Sequence, residues 1–287
     1  MANRPPTVGA GAGIDPRLAF GVAVVGLMVA LAILAPWVTN GHPAAQGDVV
    51  ATRFLGPFTT DPLGQFHLLG TDRFGRDVWT RLIFGARISL GVGILAMTIS
   101  VVVGILIGAV AGMGSRLASD LLMGFTDFVL ALPRVVLLLL LASLWEPSAL
   151  MVIVVLGLTG WMSIARLVYS EVRAKSHRPY VEAARALGET TTAVLGRHVI
   201  PNSLTPVLIA ATLGVGNTIL LEAGMSFLGL GVQPPVASWG NMIASGRDTL
   251  VNAPWVALAP GLALVLTIVA LTQVGDVLQD RSNVPHG

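Results

Sequence analysis

Apolar runs close to bilayer-crossing length recur six times along this 287-residue chain, and they constrain its fold more than any other feature. They lie at Leu18–Val38, Ile88–Ala111, Leu121–Leu144, Ala149–Tyr169, Leu204–Ala223 and Val256–Val274. A helix needs about 20 consecutive apolar residues to cross the hydrocarbon core. Lipid offers backbone N–H and C=O groups no partners, so the runs must pair them internally. A soluble globule would have to bury nearly every run. Only 11% of residues are charged, against about 25% in ordinary soluble domains. The pattern predicts an all-α polytopic membrane protein with six transmembrane helices. The first run follows Arg4 and Arg17 and is longer than the roughly 7–15 residues of a signal-peptide core, so it reads as a retained anchor.

An even number of spans places both termini on one side. With the amino terminus inside, the cytoplasmic segments carry Arg4, Arg17, Arg116, Arg173, Lys175, Arg178, Arg185, Arg197 and Arg281. The outer loops carry Arg53, Arg73, Arg76, Arg81, Arg87 and Arg247, the first group offset by Asp48, Asp61, Asp72 and Asp77. The positive-inside bias therefore favours cytoplasmic termini. The division expected is a cytoplasmic segment 1–17, a first span with a long extracytoplasmic loop 18–87, a core 88–281 and a cytoplasmic tail 282–287. A loop at 170–202 interrupts the core.

Within the spans, Gly104, Gly108 and Gly112 repeat every fourth residue, which lets a second helix approach closely, either within the bundle or in a dimer. Gly214 and Gly216 offer the same in the fifth span. Asp127 and Arg134 fall seven residues apart in the third run, nearly on one helical face. Charges in hydrocarbon face a partner or water, so this pair either flanks a translocation path, satisfies itself or lies near a boundary. Pro133 weakens the same helix and favours a kink. Glu222 closes the fifth span near its outer end, where hydration would keep it charged. It is either a gating group or a boundary carboxylate.

The loop at 170–202 is far longer than a turn requires. Ser176 is placed to cap a helix starting near Pro179, a residue suited to the first helical turn. Ala183, Ala184, Ala186 and Leu187 favour helix, and Gly188 permits a left-handed exit. A second short helix is expected over Thr191–Val199, with Pro201 restricting the chain before it re-enters the membrane. Tyr180, Val181, Ala184 and Leu187 offer an apolar surface, and Glu182, Arg185 and Arg197 offer polar contacts. Such an element either docks into a groove on a soluble partner or lies on lipid.

The run Glu182-Ala183-Ala184-Arg185-Ala186-Leu187-Gly188, followed after nine residues by His198-Val199-Ile200-Pro201-Asn202, resembles the EAA loop of ATP-binding-cassette importer permeases. Other stretches narrow the resemblance to the second permease subunit of dipeptide, oligopeptide and nickel importers. Before the second span stand His67-Leu68-Leu69-Gly70-Thr71-Asp72, Gly75-Arg76-Asp77 and Arg81-Leu82-Ile83-Phe84-Gly85-Ala86-Arg87. After the fifth stand Ser226-Phe227-Leu228-Gly229-Leu230-Gly231, Gln233-Pro234-Pro235 and Ser238-Trp239-Gly240. Pro260-Gly261 and Gly275-Asp276 match in the last span, where Leu271-Thr272-Gln273-Val274 departs from the common pattern.

The resemblance implies that Glu182 to Gly188 form a coupling helix seated in a cleft of a cytosolic ATPase, with Tyr180 and Pro201 flanking it. Glu182 would make polar contacts, Ala183 and Ala184 would permit close approach, and Gly188 would make the turn. It also implies a heterodimer with a related permease, two ATPase subunits, an extracytoplasmic solute-binding protein and a bacterial or archaeal plasma membrane. Nucleic acid has no place among these partners. Peptides are the expected cargo; nickel complexes, glutathione and other small solutes stay open. Trp239 and Trp255 either anchor the outer loops at the interface or pack within them. Gly70 and Gly75 read as turn residues.

The chain has no phosphate-binding loop, and its only lysine is Lys175. ATP and Mg2+ are therefore expected in partner subunits, with no cofactor in this one. Cysteine is absent, and the five histidines, His42, His67, His177, His198 and His286, show no metal-ligand spacing. No nucleophile and base converge as an intramembrane enzyme would need. An ion-coupled secondary transporter using Asp127, Arg134 or Glu222 is the remaining alternative.

Overall fold

A computed structural model describes residues 15–39 and 41–282. Arg4, His286, most of the expected amino-terminal segment and nearly all of the expected tail lie outside the described residues. Long helices account for the bundle: α1 (Pro16–Val38), α3 (Val78–Met113), α10 (Ile200–Phe227) and α12 (Trp255–Ser282). The short α2 (Val49–Thr52) precedes a hairpin of β1 (Thr59–Thr60) and β2 (Phe66–His67), with Thr59 opposite His67. Five helical stretches are long and apolar enough to cross a membrane, and a bent pair supplies a sixth. The polytopic all-helical architecture expected from the six apolar runs is therefore present.

Several spans differ from simple rods. The second begins ten residues earlier than its apolar run, because Asp77 accepts the Thr80 N–H at 2.7 Å and caps α3 at Val78. The loop before it thus ends at residue 77. The third run is two helices, α4 (Arg116–Leu130) and α5 (Arg134–Ala142), bent by 86°. Pro133 supplies no N–H, and its ring excludes helical continuation, so the expected kink is a sharp break. The fourth run also divides, into α6 (Ala149–Leu158) and α7 (Trp161–Lys175). Ser100 Oγ donates to the Gly157 carbonyl at 2.9 Å, beside the longer Gly160 N–H bond at 3.4 Å, so the break leaves that acceptor paired within the bundle.

The glycine repeat resolves to internal packing. A Cβ added at Gly104 would stand 2.7 Å from Ile164 Cβ, and one at Gly108 would stand 2.5 Å from Ala165 O. At Gly112 it would meet Val172 Cγ1 at 2.6 Å. The three glycines form one flat face of α3 on which α7 lies. Gly214 backs onto Met97, whereas Gly216 has ordinary van der Waals room.

Candidate functional site

The loop between the fourth and fifth spans folds into a compact cap. Its first half is α8 (Pro179–Ala186), with Pro179 in the first turn as expected. Ser176 does not cap it. Ser176 instead terminates α7, donating its hydroxyl to Arg173 O at 2.9 Å, and Arg178 occupies the cap position without a side-chain bond.

The exit from α8 follows from Gly188. Its φ is +87°, its N–H donates to Arg185 O at 3.0 Å, and the Glu189 N–H donates to Ala184 O at 3.1 Å. This paired closure, with glycine in the left-handed region, is the Schellman arrangement. The expected left-handed exit is present.

The second half departs from expectation. Thr190 caps α9 (Thr191–Val194), and a π-helical turn (Leu195–Val199) then runs directly into α10. Pro201 sits in the first turn of α10 and makes no break. The wider π turn accommodates a residue that lacks a donor and crowds the preceding turn.

One face of the cap belongs to the bundle. Val181, Ala184, Val194 and Val199 are buried in a cluster with Val168, Val172 and Val207 from the spans. The apolar docking surface expected from Tyr180, Val181, Ala184 and Leu187 is therefore split. Val181 and Ala184 face inward at i and i+3, so Ala184 packs against its own chain. Tyr180, Glu182, Ala183, Arg185, Leu187 and Gly188 face outward, with Leu187 87% exposed. Leu187 leaves the buried stripe because α8 ends at Ala186 and the left-handed turn redirects the chain.

Two polar ties hold this cap. Lys175 Nζ donates to Glu171 Oε2 at 2.6 Å and to Asn202 O at 2.7 Å, joining the two ends of the loop. Glu189 meets Arg197 at 3.5 Å and His198 at 3.2 Å, bracing its halves. The sequence marked Lys175 only as a lone lysine. Its i,i+4 spacing from Glu171 was readable, but the Asn202 carbonyl was not. Lys175→Met is expected to cost about 1.5 kcal/mol, the scale of a hydrogen bond to a charged group. Amide exchange across 176–189 should rise roughly tenfold, measured by hydrogen–deuterium exchange in nanodiscs.

The intramembrane charges are not arranged as one set. Asp127 pairs with Arg166 on α7 at 3.4 Å and not with Arg134. The break at Pro133 destroys the common face that their spacing suggested. Arg134 begins α5 beside Thr159 and Gly160, and its Nε is buried without a hydrogen-bond partner among the described residues. Glu222 is fully buried, which overturns the hydrated outer-end position. It accepts from Ser89 Oγ at 3.0 Å and Ser226 Oγ at 2.8 Å. The fifth span continues one turn past it, and α11 (Trp239–Arg247) packs over it.

The loop residues before α3 and after α10 are held by local contacts. Asp72 accepts from Arg76 Nε at 2.8 Å and lies 3.7 Å from Arg81 Nε. Arg76 stacks on Phe74. Gly70 and Gly75 turn at φ of +71° and +70°. Arg87 stands exposed on α3 over Phe84. Gln233 donates to the Gly229 and Gly231 carbonyls. Trp239 is wholly buried, its indole N–H donating to Leu82 O at 3.1 Å, so it is a packing residue and not an interfacial anchor. Trp255 donates to Thr71 O at 3.2 Å and ties the loop before α3 to α12.

The chain is thus a broken-span helical bundle with a folded loop cap at one end. A family model described as "Binding-protein-dependent transport system inner membrane component" matches residues 104–283, and the chain belongs to that family. It is a multi-pass membrane permease of the ABC peptide/oligopeptide/nickel importer type. A protein of Brucella suis biovar 1 (strain 1330), provisionally named a peptide transport system permease, is 38% identical over 260 residues, covering 91% of this chain and 85% of the relative. The di/tripeptide transport system permease protein DppC of Pseudomonas aeruginosa (strain UCBPP-PA14) is 38% identical over 255 residues, covering 88% and 83%.

Among solved structures, a chain of the MetNI methionine ABC transporter in an inward-facing conformation aligns with TM-score 0.58 at 18% identity, over 70% of this chain and 95% of that one. A chain of an amino acid ABC transporter crystallised with histidines gives 0.55 at 19% identity, over 70% and 94%. These share the fold. Among the described residues, no group of three or more His, Asp or Glu side chains forms a metal-ligating cluster.

Proposed function

We infer that this chain is the permease half of an ATP-driven importer of di- and oligopeptides, moved by cytosolic ATPases through the outward face of α8. The observation that carries this reading is the two-faced cap. Val181 and Ala184 are buried among span residues, while Tyr180, Glu182, Ala183, Arg185 and Leu187 on the same short segment face outward. In this reading a force applied to the outer face reaches α7 and α10 through the apolar cluster that Val181 and Ala184 share with Val168, Val172 and Val207. Packed side chains and secondary elements can carry such coupling, and the shared apolar cluster supports that role for this cap.

The substrate class rests on the relatives named as peptide permeases. In this reading the partners are a related permease, two ATPases holding ATP and Mg2+, and an extracytoplasmic solute-binding protein. The membrane is the bacterial or archaeal plasma membrane, with both termini cytoplasmic. The outer loop and first span form one unit and the remaining spans the transporting core, including the loop 170–202. Asp127, Arg134 and Glu222 act in the pathway or its gating, and Gly70, Asp72, Gly75, Arg76, Asp77, Arg87, Gln233 and Trp239 shape the outer scaffold.

Affinity purification of the chain from its native membrane, followed by reconstitution and dipeptide uptake, tests this. Co-purification of ATPase subunits and a second permease, with ATP-dependent uptake, is the expected result. A chain that transports alone on an ion gradient would contradict it.

A further inference from the structure

We propose that Arg134 is a mid-span anchor for the terminal carboxylate of a peptide. This deepens the importer reading and rests on it for the identity of the cargo. Arg134 falls in the middle of the third apolar run, and Thr159 and Gly160 fall in the middle of the fourth. The two helix breaks meet there, since residues of both line one cavity of about 50 Å3. An opening of roughly 10–15 Å3 already admits a water, so this one has room for a carboxylate head.

The charge there is of one sign. Arg134 is half-buried, and no Asp or Glu is among the lining residues. Among the described residues it makes no ion pair and no hydrogen bond, because Asp127 turns to Arg166. A cation within a span and without a counter-charge is expensive, and such residues mark functional positions. Thr159 is spent on the Val155 and Leu156 carbonyls, at 2.7 and 3.3 Å. Ser163 lines the same cavity, is exposed and makes no side-chain bond among the described residues, so its hydroxyl is available as a donor.

A second observation places this cavity beside a surface that lipid does not cover. Asp127 and Arg166 belong to the same two spans, and their side chains are 56% and 59% exposed. Hydrocarbon does not accept charges that open, so this face of α4 and α7 fronts water or protein. Ser163 stands one turn before Arg166 on α7 and shares that face. A peptide carries a carboxylate at its carboxyl terminus, ionised above a pKa of about 3.3–3.7. A guanidinium holds a carboxylate through two parallel N–H bonds, and the Ser163 hydroxyl adds a third donor.

The chain has no cysteine, so Ser163→Cys places a single thiol of this subunit in the cavity. The complex co-purified through that variant, in nanodiscs, is labelled with methanethiosulfonates bearing either a sulfonate or a trimethylammonium. Adducts on this chain are followed by mass spectrometry, and rates are normalised to those of a free thiol. The anionic reagent should react roughly fivefold faster or more, as an uncompensated cation in a reduced dielectric requires. Dialanine should slow the labelling, and dialaninamide, which lacks the carboxylate, should not. Arg134→Gln should remove both the preference and the protection. Arg134→Lys should keep the preference and weaken the protection, because an ammonium lacks the paired geometry. The proposal is overturned if dialaninamide protects equally or if the thiol stays unlabelled in the folded complex. It is also overturned if the complex shows no anion preference, the result expected where an acid of the second permease neutralises Arg134. ATP-dependent dialanine uptake by the complex with its solute-binding protein tests the importer reading separately. Uptake without arginine-dependent protection sinks this proposal alone, and protection without uptake keeps the carboxylate site and removes the importer reading.

Discussion

Gly188→Pro is expected to abolish transport while leaving the protein inserted in the membrane. Proline fixes φ near −65°, and Gly188 stands at +87°. The substitution also removes the N–H that bonds Arg185 O and displaces the neighbouring Glu189 N–H from Ala184 O. The local cost is roughly 3 kcal/mol or more, which α8, only two turns long, has no means to absorb. The exposed face carrying Glu182, Ala183 and Leu187 would then no longer be held over the buried Val181 and Ala184. Gly188→Ala keeps the N–H and meets only the left-handed penalty of about 1–2 kcal/mol, so it should be intermediate. Uptake and substrate-stimulated ATP hydrolysis in proteoliposomes measure the series. Wild-type uptake by the proline variant would show that this turn is not used.

Gly108→Leu is expected to prevent the bundle from closing. A Cβ there would stand 2.5 Å from the Ala165 carbonyl and 2.7 Å from Val168 Cβ, and the first of these is backbone that a rotamer change does not move. The α3–α7 seam must open along its length, and the rest of the leucine has no room. Overpacking of a tight core costs about 1–3 kcal/mol and sometimes more. Because Val168 belongs to the cluster beneath the loop cap, the damage reaches the proposed docking element as well. Gly91→Leu on the same helix is the control, since nothing among the described residues lies within 4 Å of its Cβ position. Thermal melting followed by size-exclusion chromatography should show aggregation of the Gly108 variant and near-parental behaviour of the Gly91 variant.

These two glycines show how unevenly the sequence spoke. Gly188 was readable because its role is local: a helix-favouring run, then a residue that tolerates positive φ. The Gly104–Gly108–Gly112 repeat announced close packing, but only the fold names α7 as the neighbour. Pro133 announced a kink, yet the leucine-rich run after it stayed apolar enough to read as one span, and the size of the bend, 86°, was not legible from the proline alone. The break at Thr159–Gly160 gave still less signal, because the residue that satisfies it, Ser100, is 57 positions from Gly157. The facing of α8 was misread for a geometric reason. Tyr180, Val181, Ala184 and Leu187 make an acceptable single stripe on a long helix, but this helix ends before Leu187. Glu222 was misplaced because the serines that bury it come from three segments, α3, its own helix and the cap of α11.

The chain contains no cysteine, so a single introduced thiol is a unique chemical address. The most direct test of the coupling claim places one cysteine at Leu187, on the outward face, and in a separate variant at Val181, which is fully buried. The purified complex is treated with a short bismaleimide, and adducts are identified by mass spectrometry. The Leu187→Cys variant should cross-link to an ATPase subunit, with the yield changing on ATP binding, and the Val181→Cys variant should not. A Leu187→Cys variant that labels with maleimide yet never joins an ATPase would contradict the assignment of this face as the drive point.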